Sequence, residues 1–155
     1  MPVTRAQVEQ LLNVDEPDYA AGWRLGANAL PHLLAMVREG NPGLAAKAIY
    51  LATRIGGDGA TAVIDAGASH ADPVPRVAAA AALGSVPAGQ RGDISVRLLA
   101  DRDQGVRQRT LSALPQLADP ALRQRFADLA DSLPEGQHKQ DVLEAGRRAS
   151  GSEPP

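Results

Sequence analysis

Apolar side chains recur along this chain in short stretches with the spacing of amphipathic helices, and the stretches come in pairs separated by turn residues. Asn41-Pro42, Asp72-Pro73 and Asp103-Gln104 follow one another at 31-residue intervals, and a further step of that length reaches Pro134. Asn and Asp accept bonds from backbone amides two or three residues on and so start helices; Pro just inside a helix sacrifices no needed donor. Four helix pairs are predicted: 27–38 with 43–55, 59–70 with 74–86, 92–100 with 105–117, and 120–132 with 136–149. Gly56-Gly57, the stretch from Pro87 to Gly89, and Asp119-Pro120 separate them. The second helices keep the same beat. Leu83 corresponds to Leu114, Arg76 to Arg107, and Ile55 to Val86 and Leu117. The register decays in the fourth pair, where Arg148 takes the place of Leu117, as a terminal unit with a polar outer face requires.

Equal helix pairs in series predict an all-α fold, a short right-handed α-solenoid of about four pairs. Ahead of them, Thr4 reads as the N-cap of a helix over 5–13 with Val8, Leu11 and Leu12 on one side, and Asp18 as the cap of a short helix over 19–25. The expected organisation is an N-terminal helical cap at 1–26, repeats at 27–57, 58–89, 90–119 and 120–149, and a disordered tail at 150–155.

Composition sharpens this picture. Aromatics are 3% of the 155 residues, so the 44% apolar content lies in Ala, Leu, Val and Ile. Ala favours helix and lets helix axes approach closely, which predicts tight helix-on-helix layers. The formal net charge of −2 gives no surplus of cations for displacing counterions from a nucleic-acid duplex. The absence of cysteine excludes disulfides and thiolate chemistry. Neither a secretory leader nor a membrane span is legible, and the expected location is cytoplasmic.

The run Asp72-Pro73-Val74-Pro75-Arg76-Val77-Ala78-Ala79-Ala80-Ala81-Ala82-Leu83-Gly84 resembles a HEAT repeat, and the related repeats named after phycobilisome lyases. The third unit keeps Asp103, Val106, Arg107 and Leu114, with Pro115 in place of Gly84. The first keeps Asn41-Pro42 but has Ala45 where the Arg belongs. The resemblance spans about residues 27–149 and implies a ladder between stacked units in which Asp72, Arg76, Asp103 and Arg107 are structural. It is specific for the fold and weak for function, since one fold serves many tasks.

Chemistry is sparse. His32, His70 and His138 have no second ligand at metal-binding spacing. The His-Glu pairs by which some HEAT-repeat enzymes bind iron do not occur. Gly56-Gly57-Asp58-Gly59 lacks the Lys-Ser/Thr of a phosphate-binding loop and follows a helix, so it reads as a turn between units. Asp128 with Asp131, and Asp15 with Glu16, sit in polar surroundings and not in the apolar pocket that raises a general acid's pKa. HEAT-like DNA glycosylases need an aromatic-lined basic groove. Here Arg97, Arg102, Arg107, Arg109, Arg123 and Arg125 interleave with Asp101, Asp103, Asp119 and Asp128. No catalytic residue, metal or cofactor is expected.

In a stack of helix pairs the second helices align on one surface. Its outward positions are Ala46, Lys47, Tyr50 and Arg54; Val77, Ala78, Ala81 and Ser85; Gln108, Arg109, Ser112 and Gln116; and Lys139, Gln140, Leu143 and Arg147. A helix or extended peptide fits such a face, and Tyr, Trp and Arg are the residues that most often carry interface energy. The candidate contacts are Tyr50 and Arg54, with Lys47 and Arg109 steering an acidic partner and Trp23 as a third anchor. The chain is expected to be a non-enzymatic adaptor or assembly module that binds another protein, such as one presenting an acidic helix or peptide. The exposed end repeats could also pair two copies. The alternatives are a chromophore-lyase-like role, in which the chain could be one half of a pair, and a weak nucleic-acid binder.

Overall fold

The computed structural model describes residues 2–39, 41–114 and 121–149. Among the described residues ten α-helices follow one another: α1 (Arg5–Leu12), α2 (Tyr19–Arg24), α3 (Leu30–Glu39), α4 (Pro42–Ile55), α5 (Asp58–Ala68), α6 (Pro73–Ala81), α7 (Ala88–Leu99), α8 (Gln104–Ala113), α9 (Ala121–Asp131) and α10 (Gln137–Ala149). Short 3-10 turns at Gly26–Ala29 and Leu83–Ser85 complete the described elements, which include no strand. The helices form two layers. In one, α3 packs on α5, α5 on α7 and α7 on α9; in the other, α4 packs on α6, α6 on α8 and α8 on α10. The short α1 and α2 extend the layers by packing on α3 and α4.

Local chemistry starts these helices where the turn residues stand. Thr4 and Gln7 form a capping box on α1, and Asp18 accepts from the Ala21 amide at α2. Asn41, Asp72 and Asp103 cap α4, α6 and α8 through their side chains, with Pro42 and Pro73 as first helical residues. Gly56 and Gly57, at φ +78° and +87°, make the turn from α4 to α5 in a region that side chains avoid. Three boundaries differ from expectation: α3 begins at Leu30 after a 3-10 turn, α6 ends at Ala81 and not near 86, and α7 begins at Ala88, not near 92. Pro87 serves as its N-cap residue, the Gln90 and Arg91 amides bond the Pro87 carbonyl, and Gly89 is carried inside the first turn. The expected end of the third pair near 117, the Asp119-Pro120 separator and the tail at 150–155 lie outside the described residues.

One core runs the length of the stack. Leu12, Leu33, Met36, Ile49, Leu51, Ile64, Leu83, Leu98, Leu99, Leu114 and Phe126 are fully buried in it. Ala45, Ala48, Ala52, Ala79 and Ala80 are buried where α4 and α6 meet their neighbours. At Gly67 of α5 a Cβ would run into Ile49 of α4, and at Gly22 of α2 it would lie 2.8 Å from Leu51 Cδ2. These contacts hold the helices at backbone-to-side-chain distance.

Polar rungs tie consecutive units together, and their carboxylates differ from those the resemblance implied. Asp72 and Asp103 face their own helix ends as caps. The Arg76 guanidinium instead grips Asp101 in a bidentate pair, Nε to Oδ2 at 2.7 Å and Nη2 to Oδ1 at 3.2 Å. The next rung joins Arg107 to Asp141 of α10 at 3.0 Å, with side chains only 7% and 4% exposed. Each arginine also donates to two carbonyls at the end of the preceding turn, Arg76 to His70 and Ala71, and Arg107 to Asp101 and Arg102. Between the first and second units the rung is missing. Ala45 replaces the arginine, and His70 stands where Asp101 stands one unit later. Both residues accept the amide two positions on, His70 Nδ1 from Asp72 and Asp101 Oδ1 from Asp103, each at 2.9 Å.

Removing one partner of the buried rung leaves a charge without its counter-ion. Asp141→Leu is expected to cost about 3–5 kcal/mol of unfolding free energy, and Arg107→Met with Asp141→Leu to recover most of that loss. Asp72→Ala is expected to cost only about 1 kcal/mol, as loss of a cap does. Urea denaturation followed by circular dichroism checks all three.

Candidate functional site

The outward surface of α2, α4, α6, α8 and α10 gathers the candidate residues in register rows. Lys47, Ala78, Arg109 and Gln140 form one row, and Tyr50, Ala81, Ser112 and Leu143 the next. Arg54, Ser85 and Arg147 form the third, whose remaining position, Gln116, lies outside the described residues. Arg54 and Arg109 are exposed. Lys47 is half-buried because its ammonium reaches back to the Val14 carbonyl at the end of α1. The middle of this wall, on α6, is apolar and exposed at Val74 and Ala81.

The aromatic residues are distributed unevenly. Phe126 is in the core, whereas Tyr50 and Trp23 are 50% and 54% exposed. The Tyr50 ring meets Tyr19 of α2 edge-on, with centroids 4.5 Å apart and planes at 67°. Trp23 follows Tyr19 by one helical turn, so both rings lie on the same side of α2. Val14, also exposed, adjoins through its contact with Lys47. Tyr19 is therefore part of this corner, although no sequence signal marked it: its ring is placed by a contact 31 residues away. Burial, and secondarily the neighbouring Tyr50, raises the Tyr19 phenol above the ordinary value of 10.0.

The remaining candidates are structurally engaged. His32 Nε2 meets the Val3 carbonyl at 2.9 Å, and His138 Nε2 the Leu99 carbonyl at 2.7 Å, each tying one unit to another. Among the described residues no three His, Cys, Asp or Glu side chains converge as a metal site would require. Asp128 accepts from Gln124, Arg125 pairs with Asp93, and Arg97 pairs with Asp65 and bonds Ser69. Arg97 and Arg125 of the arginine-rich C-terminal half are thus paired with carboxylates. Shallow grooves open elsewhere: one of about 390 Å³ between α9 and α10, lined by Arg123, Phe126, Val142 and Leu143, and one of about 450 Å³ between α3 and α5, lined by Arg38, Asp65 and His70. No described helix is long and apolar enough to cross a membrane.

No family model matches the chain, and no curated protein matches it in sequence. Among solved structures it is similar to a chain of the complex of CpcE and CpcF of phycocyanin lyase from Nostoc sp. PCC7120. The two share 21% identity and superpose with a TM-score of 0.64 over 91% of this chain and 96% of that one. The likeness establishes a HEAT-like helical-repeat fold. It also corrects the expectation of a non-enzymatic chain: that expectation rested on missing catalytic motifs, and the same architecture, nearly end to end, occurs in a lyase complex.

The corner generates a pH prediction. The Tyr19 pKa is raised on folding, so its contribution is intact below about pH 10 and is lost as the pH climbs through the folded-state value. In a spectrophotometric titration of the native protein, Tyr19 is expected to give a late ionisation step above the ordinary tyrosine value. Tyr19→Phe is expected to remove the late step and to flatten the loss of stability above pH 10.

Proposed function

We propose that this chain is a subunit of a chromophore-lyase-type assembly that works together with another protein chain, held on the wall of second helices. The observation that carries the reading is the near-complete mutual coverage with a chain of a two-chain phycocyanin lyase complex, 91% and 96% at a TM-score of 0.64. Coverage of that extent means a shared whole architecture and not one shared repeat.

The site chemistry supports the same reading. A linear tetrapyrrole is a flat conjugated ligand with carboxylate side chains. The exposed rings of Trp23 and Tyr50 offer stacking surface, and Lys47 and Arg54 offer cations on the same helix as Tyr50. The chain has no cysteine, so a chromophore would be held here without a bond to sulfur and passed to, or received from, the partner. The protein's own tasks are then to bind, orient and shield the ligand. A cytoplasmic setting belongs to this reading.

Purified chain mixed with a linear tetrapyrrole and passed over a gel-filtration column is expected to elute with visible absorbance and induced circular dichroism. Trp23 emission is expected to be quenched in the same fractions. Trp23→Leu with Tyr50→Leu is expected to weaken binding about tenfold while helicity is unchanged. Colourless protein fractions and unquenched Trp23 would count against the reading.

A further inference from the structure

The charges are sorted between the two helix layers. Helices α2, α4, α6 and α8 contain no Asp or Glu, although the chain has 18 acidic residues. They carry six cations: Arg24, Lys47, Arg54, Arg76, Arg107 and Arg109. Each helix of the opposite layer, α1, α3, α5, α7 and α9, carries at least one carboxylate. Arg76 and Arg107 are engaged in the rungs. The other four lie on or near the surface, and Lys47 donates to a carbonyl, which leaves its charge unneutralised. Among the described residues, the acidic groups of this layer stand in its turns and on α10. Asp15, Glu16 and Asp18 lie in the turn before α2, the carboxylates of the inter-helix turns line its edge, and Glu144 on α10 is held by Arg147 and Arg148. Over α4 to α8 the wall therefore has a sign opposite to the protein's net charge of −2.

The cations flank an apolar floor. Lys47 and Arg54 stand on α4 and Arg109 on α8, with α6 between them. The α6 surface presents Val74, 52% exposed, together with Val77, Ala78 and Ala81. Packed helices lie about 8–10 Å apart, so the two flanks are about 16–20 Å apart. One further helix, about 10–12 Å across, fits between them.

We infer that this wall binds an acidic amphipathic helix of a partner protein, laid along α6. Its apolar stripe covers Val74, Val77 and Ala81, and carboxylates on both sides of the stripe meet Lys47 and Arg54 on one flank and Arg109 on the other. The inference rests on the reading that the wall holds a protein partner, and it supplies that partner's chemistry. A nucleic acid is the poorer occupant, because three cations above an apolar floor on a net-negative protein do not track a phosphate backbone.

The test uses the full chain and a fluorescent synthetic helix with a Leu/Ala stripe flanked by glutamates, beside the same peptide with Gln or Lys at those positions. Anisotropy is expected to show binding of the Glu peptide at least about tenfold tighter than of either analogue, weakening as salt shortens the range of the field. Arg54→Glu with Arg109→Glu is expected to weaken it at least tenfold again, whereas Arg38→Glu with Arg123→Glu on the other layer leaves it unchanged. Failure of the Glu peptide to bind, equal binding of the three peptides, insensitivity to the Arg54 and Arg109 reversals, or tighter binding of duplex DNA than of the Glu peptide would each overturn the inference. Tetrapyrrole binding by the same preparations, read from visible absorbance, separates this outcome from failure of the chromophore reading.

Discussion

A hairpin of two short amphipathic helices has more apolar surface than it can cover by itself, and burial of that surface by the next hairpin holds this molecule together. Each unit supplies Leu, Ile and Ala side chains to both of its neighbours, so the core is a continuous seam and not a set of local clusters. The seam is narrow because alanine and glycine let the backbones close up. At Gly67 and Gly22 a methyl group would displace the ends of the Ile49 and Leu51 side chains. Tight layers have a consequence for the surface: with the helix axes fixed, equivalent positions of successive second helices fall into straight rows. A residue's place in the repeat thereby becomes its place on the wall.

Electrostatics does two different jobs on the two sides of that packing. At the inner edge, arginines are paired with carboxylates from the following unit and are nearly sealed from water, which fixes the relation of one unit to the next. On α4 and α8 the outward cations have no carboxylate on their own helices. The same residue type therefore fixes register in one place and faces solvent in another. The difference is set by whether the next unit brings a carboxylate: Asp101 and Asp141 reach Arg76 and Arg107, and Arg54 and Arg109 project into solvent.

The likeness to a lyase subunit fits an architecture that contributes surface and orientation more than reactive groups. The sequence lacks recognisable nucleophiles or metal ligands, and reading that as evidence against enzymatic work gave the wrong weight to motifs. A fold that positions a ligand against a partner chain can belong to an enzyme whose reacting atoms lie elsewhere in the assembly. Tyr50 and Trp23 were legible as candidates because exposed aromatics often anchor interfaces. Tyr19, which orients Tyr50, was not, since nothing in its local sequence differs from an ordinary helix start.

Helix identity, order and the starts that carry a capping side chain were determined by the sequence alone, because caps, prolines and amphipathic spacing act within a few residues of one another. Thr4, Asp18, Asn41, Asp72 and Asp103 each cap the helix their spacing implied. The 31-residue beat then implied stacking, since equal units with one apolar side have no other way to cover it. Only the tertiary structure decided which carboxylate completes each rung, that His70 bonds the Asp72 amide as Asp101 bonds that of Asp103, and that the acid-free helices α2, α4, α6 and α8 share one layer. Those outcomes depend on which side chains meet across 25 to 34 residues of chain once the helices have closed on one another. Such distances are set by packing, and no local pattern encodes them.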